Sequence, residues 1–179
     1  MNHFKNKSIG ILGGSFDPPH KGHVKISKIA IKKLSINKLY WVITKKNPHK
    51  SQPFFRLDDR ILKSKKLVKK NKKIKILYLY DKVKSSRTIS FINYFIKSKK
   101  QKNLYFIIGS DNLLDFHKWT SWKKIAKIVK LVVFSRKGYD KKSNSSVVVK
   151  YLKMKNIIYI KNKHINISST ILRKSLKRA

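Results

Sequence analysis

The sequence contains no cysteine and no glutamate, and it has no long apolar run. Without cysteine the chain cannot form a disulfide framework, a thiolate zinc site or a cysteine nucleophile, and this composition fits a reducing compartment. The apolar run before Gly13 is too short for a secretory core, and no segment approaches the length that spans a bilayer. We therefore expect a cytoplasmic protein with no membrane anchor and no membrane partner.

Acidic residues are scarce: seven aspartates face 46 lysines and arginines, which gives a formal net charge of +39. Such a field attracts RNA, DNA, anionic membranes and nucleotides alike. The lysines are, however, spread along the whole chain, and only three alanines accompany many lysines, isoleucines and asparagines. This pattern favours a sequence-wide compositional bias over a dedicated nucleic-acid function, and we expect no specific nucleic-acid partner.

The chain length of 179 residues suits one domain with a single core, and a hydrophobic content of 41% is typical of a folded protein. Short β-rich runs alternate with segments whose apolar residues recur three and four positions apart. The predicted strands are 8–12, 38–44, 74–80, 103–108, 130–135 and 156–160. This alternation predicts a parallel sheet with helices on both faces, and 141–146 is predicted to be a surface loop.

Parallel α/β sheets bind ligands beyond the carboxyl ends of their strands, and the stretch GILGGSFDPPHKGHVKIS (10–27) follows the first strand. Gly13 and Gly14 let the chain turn sharply and let backbone amides approach a ligand, and a helix is predicted to begin near Lys21. His20 and His23 lie at i and i+3 about this helix N-terminus, which itself favours an anion. The combination predicts a phosphate site.

Two histidines three residues apart are more often incidental than functional, and a metal site would lack an obvious third and fourth ligand. The full string GGSFDPPHKGH, however, resembles the first signature, HxGH, of the nucleotidyltransferase superfamily, which is related to the histidine motif of class I aminoacyl-tRNA synthetases. The resemblance implies that His20 and His23 are catalytic and stabilise charge on the transferring phosphoryl group. It also implies that ATP is bound by Gly13, Gly14, Ser15 and Phe16.

A second phosphate-type motif, ISSTILR (167–173), follows the last predicted strand. Ser168, Ser169 and Thr170 can cap a helix and present hydroxyls and amides to phosphate oxygens, and Arg173 adds a bidentate donor one turn later. An ordinary helix cap is the alternative for an isolated motif of this kind. The string resembles the second signature of the superfamily, ISSTxxR, which implies that Ser168, Ser169 and Thr170 bind ATP and that Arg173 is catalytic.

The middle of the chain, IIGSDNLLDFHKWTSWKKI (107–125), resembles the pattern GxDxL…W…W…I of the nicotinate mononucleotide adenylyltransferases. The segments NPHK (47–50) with Arg60 behind it, RTISF (87–91) and SRKGYD (135–140) all fall in family order. By this resemblance Trp119 stacks on the nicotinate ring, Asp111 holds the ribose and Thr88 receives the carboxylate. Gly109 belongs to the same mononucleotide site, and Lys50 and Arg136 lie on the ATP side.

Several of these residues have a structural alternative. Trp119 and Trp122 could bury one helical face, which is the preferred interpretation for Trp122, and Asp111 could cap the following helix. Many relatives have Tyr-Thr followed by an acidic residue where this sequence has Arg87-Thr88-Ile89-Ser90. In place of the contact expected at Ser90, Arg87 would offer a positive charge to the mononucleotide.

The resemblance implies one Rossmann-like domain over residues 1–179, a doubly wound parallel sheet with the nucleotidyltransferase fold. It implies transfer of AMP from ATP to nicotinate mononucleotide, which gives deamido-NAD and pyrophosphate in NAD biosynthesis. Because acids are scarce, magnesium is expected to arrive with ATP rather than in a protein cage. Sister enzymes acting on phosphopantetheine or nicotinamide mononucleotide, a synthetase fragment and a basic nucleic-acid-binding protein are the alternatives. A homo-oligomer is compatible with the sequence.

Overall fold

A computed structural model describes residues 8–46, 52–99, 103–162 and 168–176 of the chain. The strands are β1 Ile9–Gly14, β2 Lys38–Ile43, β3 Ile74–Tyr78, β4 Leu104–Gly109, β5 Lys130–Phe134 and β6 Ile157–Ile160. The helices are α1 Lys21–Lys33, α2 Leu57–Val68, α3 Tyr80–Val83, α4 Thr88–Lys99, α5 Ser110–Asp115, α6 Trp122–Ile128, α7 Asp140–Asn144, α8 Val147–Leu152 and α9 Ser169–Leu176. A short 3-10 helix, Phe116–Lys118, lies between α5 and α6.

The six strands form one parallel sheet in the order β3-β2-β1-β4-β5-β6. The chain winds outward from β1 to β3 on one side and from β4 to β6 on the other. The strand order therefore reverses between β1 and β4, and a crevice opens there at the carboxyl edge of the sheet.

Each face of the sheet is covered by helices, because successive side chains of a strand point to opposite faces. In β2, Trp41 and Ile43 pack with Ala30 of α1 and Val68 of α2. Val42 points the other way and packs in the cluster that contains Phe91 of α4. Both faces are buried, which is why the inner strands read as nearly continuous apolar runs.

The six predicted strands and the parallel doubly wound architecture are confirmed, with strand ends shifted by one or two residues. The predicted loop at 141–146 is wrong, because α7 covers Asp140–Asn144. Ser143 is fully buried and its hydroxyl donates to the Asp140 carbonyl, and α7 packs against α5. Tertiary packing thus overrides the polar, loop-like composition.

Within the ranges that the structure describes, no helix has the length and apolar character needed to cross a membrane.

Candidate active site

The residues predicted to act chemically lie at the carboxyl edge of the sheet. The first signature follows β1, Gly109 ends β4, and Arg136 comes two residues after β5. These three strands are neighbours, and β1 and β4 flank the point where strand order reverses. The topology therefore gathers segments that are far apart in sequence around one crevice, where ligands bind in sheets of this kind.

The two histidines form a capping box at the start of α1. His20 is the N-cap, and its Nδ1 accepts a hydrogen bond from the Gly22 backbone N–H at 3.1 Å. His23 reaches back with its Nδ1 to the backbone N–H of His20 at 3.2 Å. The two imidazole rings are 3.8 Å apart between centroids. Because both Nδ1 atoms accept, each neutral ring carries its proton on Nε2, so the pair presents two N–H donors.

Both rings are held in the neutral form at neutral pH. Burial, followed by the positive charge of Arg136, lowers the pKa of His20 to about 4. Burial is also the largest cause that lowers the pKa of His23 well below its usual value. Electrostatic interactions with His20 and Arg136 lower the pKa of His23 further, and the hydrogen bond with the His20 backbone raises it. The site therefore offers hydrogen-bond donors here rather than imidazolium charges.

Acidification is expected to destabilise the protein through His20. In the unfolded chain a histidine titrates near 6.5, whereas His20 titrates at about 4 in the folded protein. Between these values the unfolded state binds more protons, so stability falls as the pH drops from about 6.5 and this contribution levels off below about 4. Urea midpoints across this range should fall less steeply for His20→Asn, which keeps a cap without the titrating ring. Parallel curves for the two proteins would contradict the assignment.

Two buried aromatic side chains, Phe16 and Trp41, pack next to the His23 ring. The ring of Phe16 lies 4.8 Å from that of His23 and stacks on Trp41 at 4.9 Å. The Trp41 indole N–H donates to the Ser27 hydroxyl at 2.8 Å, and this hydroxyl donates to the His23 carbonyl at 2.8 Å. Trp41 and Ser27 are fully buried. The first turns of α1 are thus fastened to β2.

The two glycines of the first signature are strand residues. Gly13 and Gly14 end β1, and the sharp turn falls on Phe16, whose φ is 49°. The predicted glycine turn is therefore wrong. A Cβ at Gly13 would make only ordinary contact with Phe106, and one at Gly14 would do so with Phe16. Gly13 is exposed although it lies in a central strand, one residue before its end, so the crevice is open at this position.

Ser15 and Phe16 follow directly on these glycines but differ in what they offer a ligand. Phe16 is buried, and its ring packs on Trp41, so only its backbone can face the crevice. Ser15 is half-buried, and its carbonyl accepts a hydrogen bond from Arg60 at 2.6 Å.

The second signature contacts the first. Ser169 donates from its hydroxyl to the Pro18 carbonyl at 2.9 Å. Arg173 donates to the Asp17 carbonyl, and its Nη1 lies 3.6 Å from the Asp17 carboxylate. Arg173 also donates to the Thr170 hydroxyl at 3.3 Å. The N-termini of α1 and α9 therefore lie side by side, and part of the Arg173 guanidinium is committed to protein atoms.

Ser168 caps α9, because its hydroxyl accepts from the backbone N–H of Ile171 at 3.2 Å. This capping agrees with the ordinary structural role considered for the motif, and it leaves Thr170 exposed at the same helix end.

Gly109, Asp111 and Arg136 form one contact group at the end of β4. Arg136 pairs with the Asp111 carboxylate at 2.9 Å, so residues predicted for the ATP side and the mononucleotide side touch each other. A Cβ at Gly109 would collide with Asp111 Oδ1 and lie 3.1 Å from Arg136 Nε. Asp111 lies in the first turn of α5, whose N-cap is Gly109. The capping role considered for Asp111 is therefore wrong.

Asp111 Oδ1 is buried and has no hydrogen-bond partner among the residues that the structure describes. A buried carboxylate oxygen without a donor is costly, which favours a ligand donor at this position.

Trp119 and Trp122 do not share a helical face. Trp119 is the C-cap of the 3-10 helix, and its ring packs on Phe116 at 5.0 Å and on Phe106 at 6.1 Å. Trp122 begins α6 and packs on Tyr151 at 5.1 Å, in agreement with the structural role preferred for it. Trp119 is only partly buried, so part of its ring stays accessible.

An open cavity of about 630 Å³ lies between the α3–α4 connection and the segment after Trp119. Its lining is basic and rich in hydroxyls: Tyr80, Lys84, Ser85, Ser86, Arg87, Ile89, Ser90, Thr120 and Ser121. Thr88, at the start of α4, lies in sequence between two lining residues, and Trp119 directly precedes two others. None of the described residues that line the cavity is acidic, so the cavity suits an anionic ligand.

Lys50 lies outside the described residues, as does the rest of NPHK. Three buried polar residues next to the site were given no role from sequence: Asp17, Arg60 and Ser110. Ser110 is fully buried, and its hydroxyl accepts from the Arg136 backbone N–H at 2.9 Å. The rarity of aspartate could have drawn attention to Asp17, whereas Arg60 stands out among 46 basic residues only by its place behind NPHK.

Comparisons with known proteins agree with this geometry. The cytidylyltransferase-like family model matches residues 11–175. A probable nicotinate-nucleotide adenylyltransferase of Pelagibacter ubique is 48% identical over 170 residues, which cover 95% of this chain and 94% of that protein. One of Endomicrobium trichonymphae is 34% identical over 94% of this chain and 86% of that protein.

Among solved structures, Plasmodium falciparum nicotinic acid mononucleotide adenylyltransferase complexed with NaAD has the same fold, with a TM-score of 0.74 at 22% identity, covering 94% of this chain and 83% of that one. The fold, the two joined signatures and these relatives lead to one conclusion: the chain belongs to the cytidylyltransferase-like family and, within it, to the nicotinate-nucleotide adenylyltransferases.

Proposed function

We propose that this protein transfers AMP from ATP to nicotinate mononucleotide, giving deamido-NAD and pyrophosphate. The observation that carries the proposal is the meeting of the two phosphate-type signatures through Ser169 with Pro18 and Arg173 with Asp17. Two helix N-termini, two neutral imidazoles and a guanidinium then share one end of β1. Such a constellation suits a polyphosphate, and the relatives named above carry the same activity in their names.

The reaction is a displacement at phosphorus. A phosphate oxygen of nicotinate mononucleotide attacks the α-phosphorus of ATP, and the bond from that phosphorus to the bridging oxygen of the β-phosphate breaks. The electron pair leaves with pyrophosphate. The attacking phosphate is already ionised at neutral pH, so no general base is required. The protein has to align the two substrates and stabilise charge on the α-phosphate and the leaving group.

We assign His20 and His23 to the α- and β-phosphates, where their Nε2–H groups donate hydrogen bonds. Ser169, Thr170 and Arg173 take the leaving pyrophosphate, with Ser168 holding the helix end. The Arg173 guanidinium has more donors than its two protein acceptors use. The backbone of Gly13, Gly14, Ser15 and Phe16 lies against ATP, and Lys50 and Arg136 add positive charge on that side.

Adenylyl transfer from ATP uses a divalent metal ion, and we propose that this ion is magnesium bound to the substrate. Among the described residues, no group of three or more histidine, aspartate or other ligand side chains could hold a metal ion. Both Asp17 carboxylate oxygens already accept backbone N–H groups. Magnesium would therefore be held by phosphate oxygens and water, where it would neutralise charge.

We propose that the reaction takes place in the cytoplasm.

The mononucleotide occupies the basic cavity and its rim in this proposal. Trp119 stacks on the nicotinate ring, Thr88 receives the carboxylate, and Asp111 Oδ1 accepts from a ribose hydroxyl beside Gly109. Lys84 and Arg87 add positive charge to the lining, which favours the acid over the neutral amide.

Arg87→Ala is expected to reduce the preference for nicotinate mononucleotide over nicotinamide mononucleotide. A partly exposed charge pair contributes about 1 kcal/mol, so kcat/KM for nicotinate mononucleotide should fall roughly fivefold while that for nicotinamide mononucleotide changes little. Lys97→Ala, which removes an exposed charge from α4, the helix that follows Arg87, serves as the control. An equal loss with both substrates would contradict a role for Arg87 in acid recognition.

Pyrophosphate release tests the proposed function directly. The purified protein is incubated with ATP and magnesium and, in parallel, with nicotinate mononucleotide, nicotinamide mononucleotide or phosphopantetheine. We expect the fastest release with nicotinate mononucleotide. Release with phosphopantetheine alone would move the protein to the sister enzymes, and no release with any acceptor would overturn the proposal.

A further inference from the structure

Arg60, in the first turn of α2, is a buried arginine at the back of the site. Only 2% of its surface is exposed. Its guanidinium donates to four backbone carbonyls: Ser15 at 2.6 Å, Thr44 at 2.9 Å, Lys45 at 3.0 Å and Phe55 at 3.1 Å. One side chain thus joins the segment after β1, the segment after β2 and the residues that lead into α2.

Asp17 also binds the residues that lead into α2. Its two carboxylate oxygens accept the backbone N–H groups of Phe54 and Phe55, each at 2.8 Å. The backbone of Phe55 therefore makes two hydrogen bonds: its N–H donates to Asp17, and its carbonyl accepts from Arg60. The first-signature loop is fixed at Ser15 and at Asp17, just before His20.

Burying this guanidinium is costly for folding. Burial lowers the pKa of Arg60, and the charge of Asp17 partly opposes that shift. Replacing buried charges with well-packed apolar residues is often neutral or stabilising, so stability alone is a weak reason for an arginine here. A planar group with five donors is, however, well suited to fix several backbone segments relative to one another.

We propose that Arg60 is a positioning residue for adenylyl transfer. By fixing Ser15 and the residues bound to Asp17, it fixes the position of the His20 and His23 rings relative to the ATP phosphates. This inference rests on the proposed function. Misplacement of a catalytic group by about 1 Å can cost roughly a hundredfold in rate. Arg60 itself does not have to touch the substrate.

Arg60→Lys tests the proposal, because lysine keeps the charge but cannot span carbonyls in three segments. We expect kcat to fall by roughly a hundredfold at a temperature where circular dichroism and urea titration show the variant fully folded. Arg56→Lys makes the same change at the exposed N-cap of α2 and should leave kcat unchanged. A fully folded Arg60→Lys enzyme with normal kcat, or with only a raised KM for ATP, would overturn the inference.

A second readout does not depend on turnover. As the loop loosens, His20 becomes less buried, so its imidazole titration followed by NMR should move upward from about 4 towards the ordinary value. An unchanged titration in Arg60→Lys would contradict the positioning role. If Arg60→Lys fails to fold, Asp17→Asn loosens the same loop and should give the same two changes. A wild-type protein that releases no pyrophosphate refutes the proposed function, whereas this titration still tests the positioning.

Discussion

His23→Ala is expected to lower kcat by roughly two to three orders of magnitude, the usual effect of removing one preorganised donor to a transition-state oxygen. The ring of His23 is fixed by its bond to the His20 N–H and by contact with Phe16. The fold should persist, because one neutral hydrogen bond contributes about 1 kcal/mol. Pyrophosphate release at saturating substrate, with circular dichroism of the same sample, measures both quantities. Lys28→Ala, an exposed change on the same helix, is the control.

His20 allows catalysis to be separated from helix capping. Asparagine is a favoured N-cap residue and can accept from the Gly22 N–H, as His20 Nδ1 does. His20→Asn should therefore retain stability within a few tenths of a kcal/mol, whereas His20→Ala should lose about 1 kcal/mol. Both variants lack the Nε2–H donor, so both should lose turnover. Normal turnover in a stable His20→Asn enzyme would show that this histidine only caps the helix.

Asp111→Ala is expected to raise KM for nicotinate mononucleotide by roughly ten- to a hundredfold, because a hydrogen bond to a charged acceptor is worth about 1.5–3 kcal/mol. The ribose hydroxyl is remote from the attacking oxygen, so kcat should change much less. Stability should hardly fall, since the Arg136 pair is partly exposed and Oδ1 has no donor to lose among the described residues. Initial rates measured against each substrate in turn check this.

Asp115→Ala is the matched control for that experiment. Asp115 ends the same helix α5 and pairs with Lys118 at 2.7 Å, with both side chains largely exposed. Its removal should leave both KM values unchanged. If Asp111→Ala raised KM for ATP instead, the carboxylate would belong to the ATP side, and the assignment to the mononucleotide would be wrong.

The sheet was predictable because its residues carry a strong local signal. Runs such as LYFII in β4 are apolar on both faces, and their alternation with helical spacing leaves few possible topologies. The segment 141–146 was not predictable in the same way. Its polar composition is typical of a loop, whereas in the folded protein Ser143 is buried and the helix α7 packs against α5.

The site was predictable where a motif marks it. His20 and His23 belong to the first signature, and Ser169 and Arg173 of the second signature contact Pro18 and Asp17 just before them. The chemical roles of these residues stay predictions. Arg60 follows NPHK in family order, but its role could not be predicted, because its four acceptors are backbone atoms that carry no residue type. Asp111 illustrates a third case: its unpaired buried oxygen is visible only in three dimensions.

The contacts of α9 with Pro18 and Asp17 join residues 151 and 156 positions apart. In the chain α9 follows all six strands, so the strands leave the ribosome before α9 does. We therefore expect the two signatures to meet only after the sheet has formed.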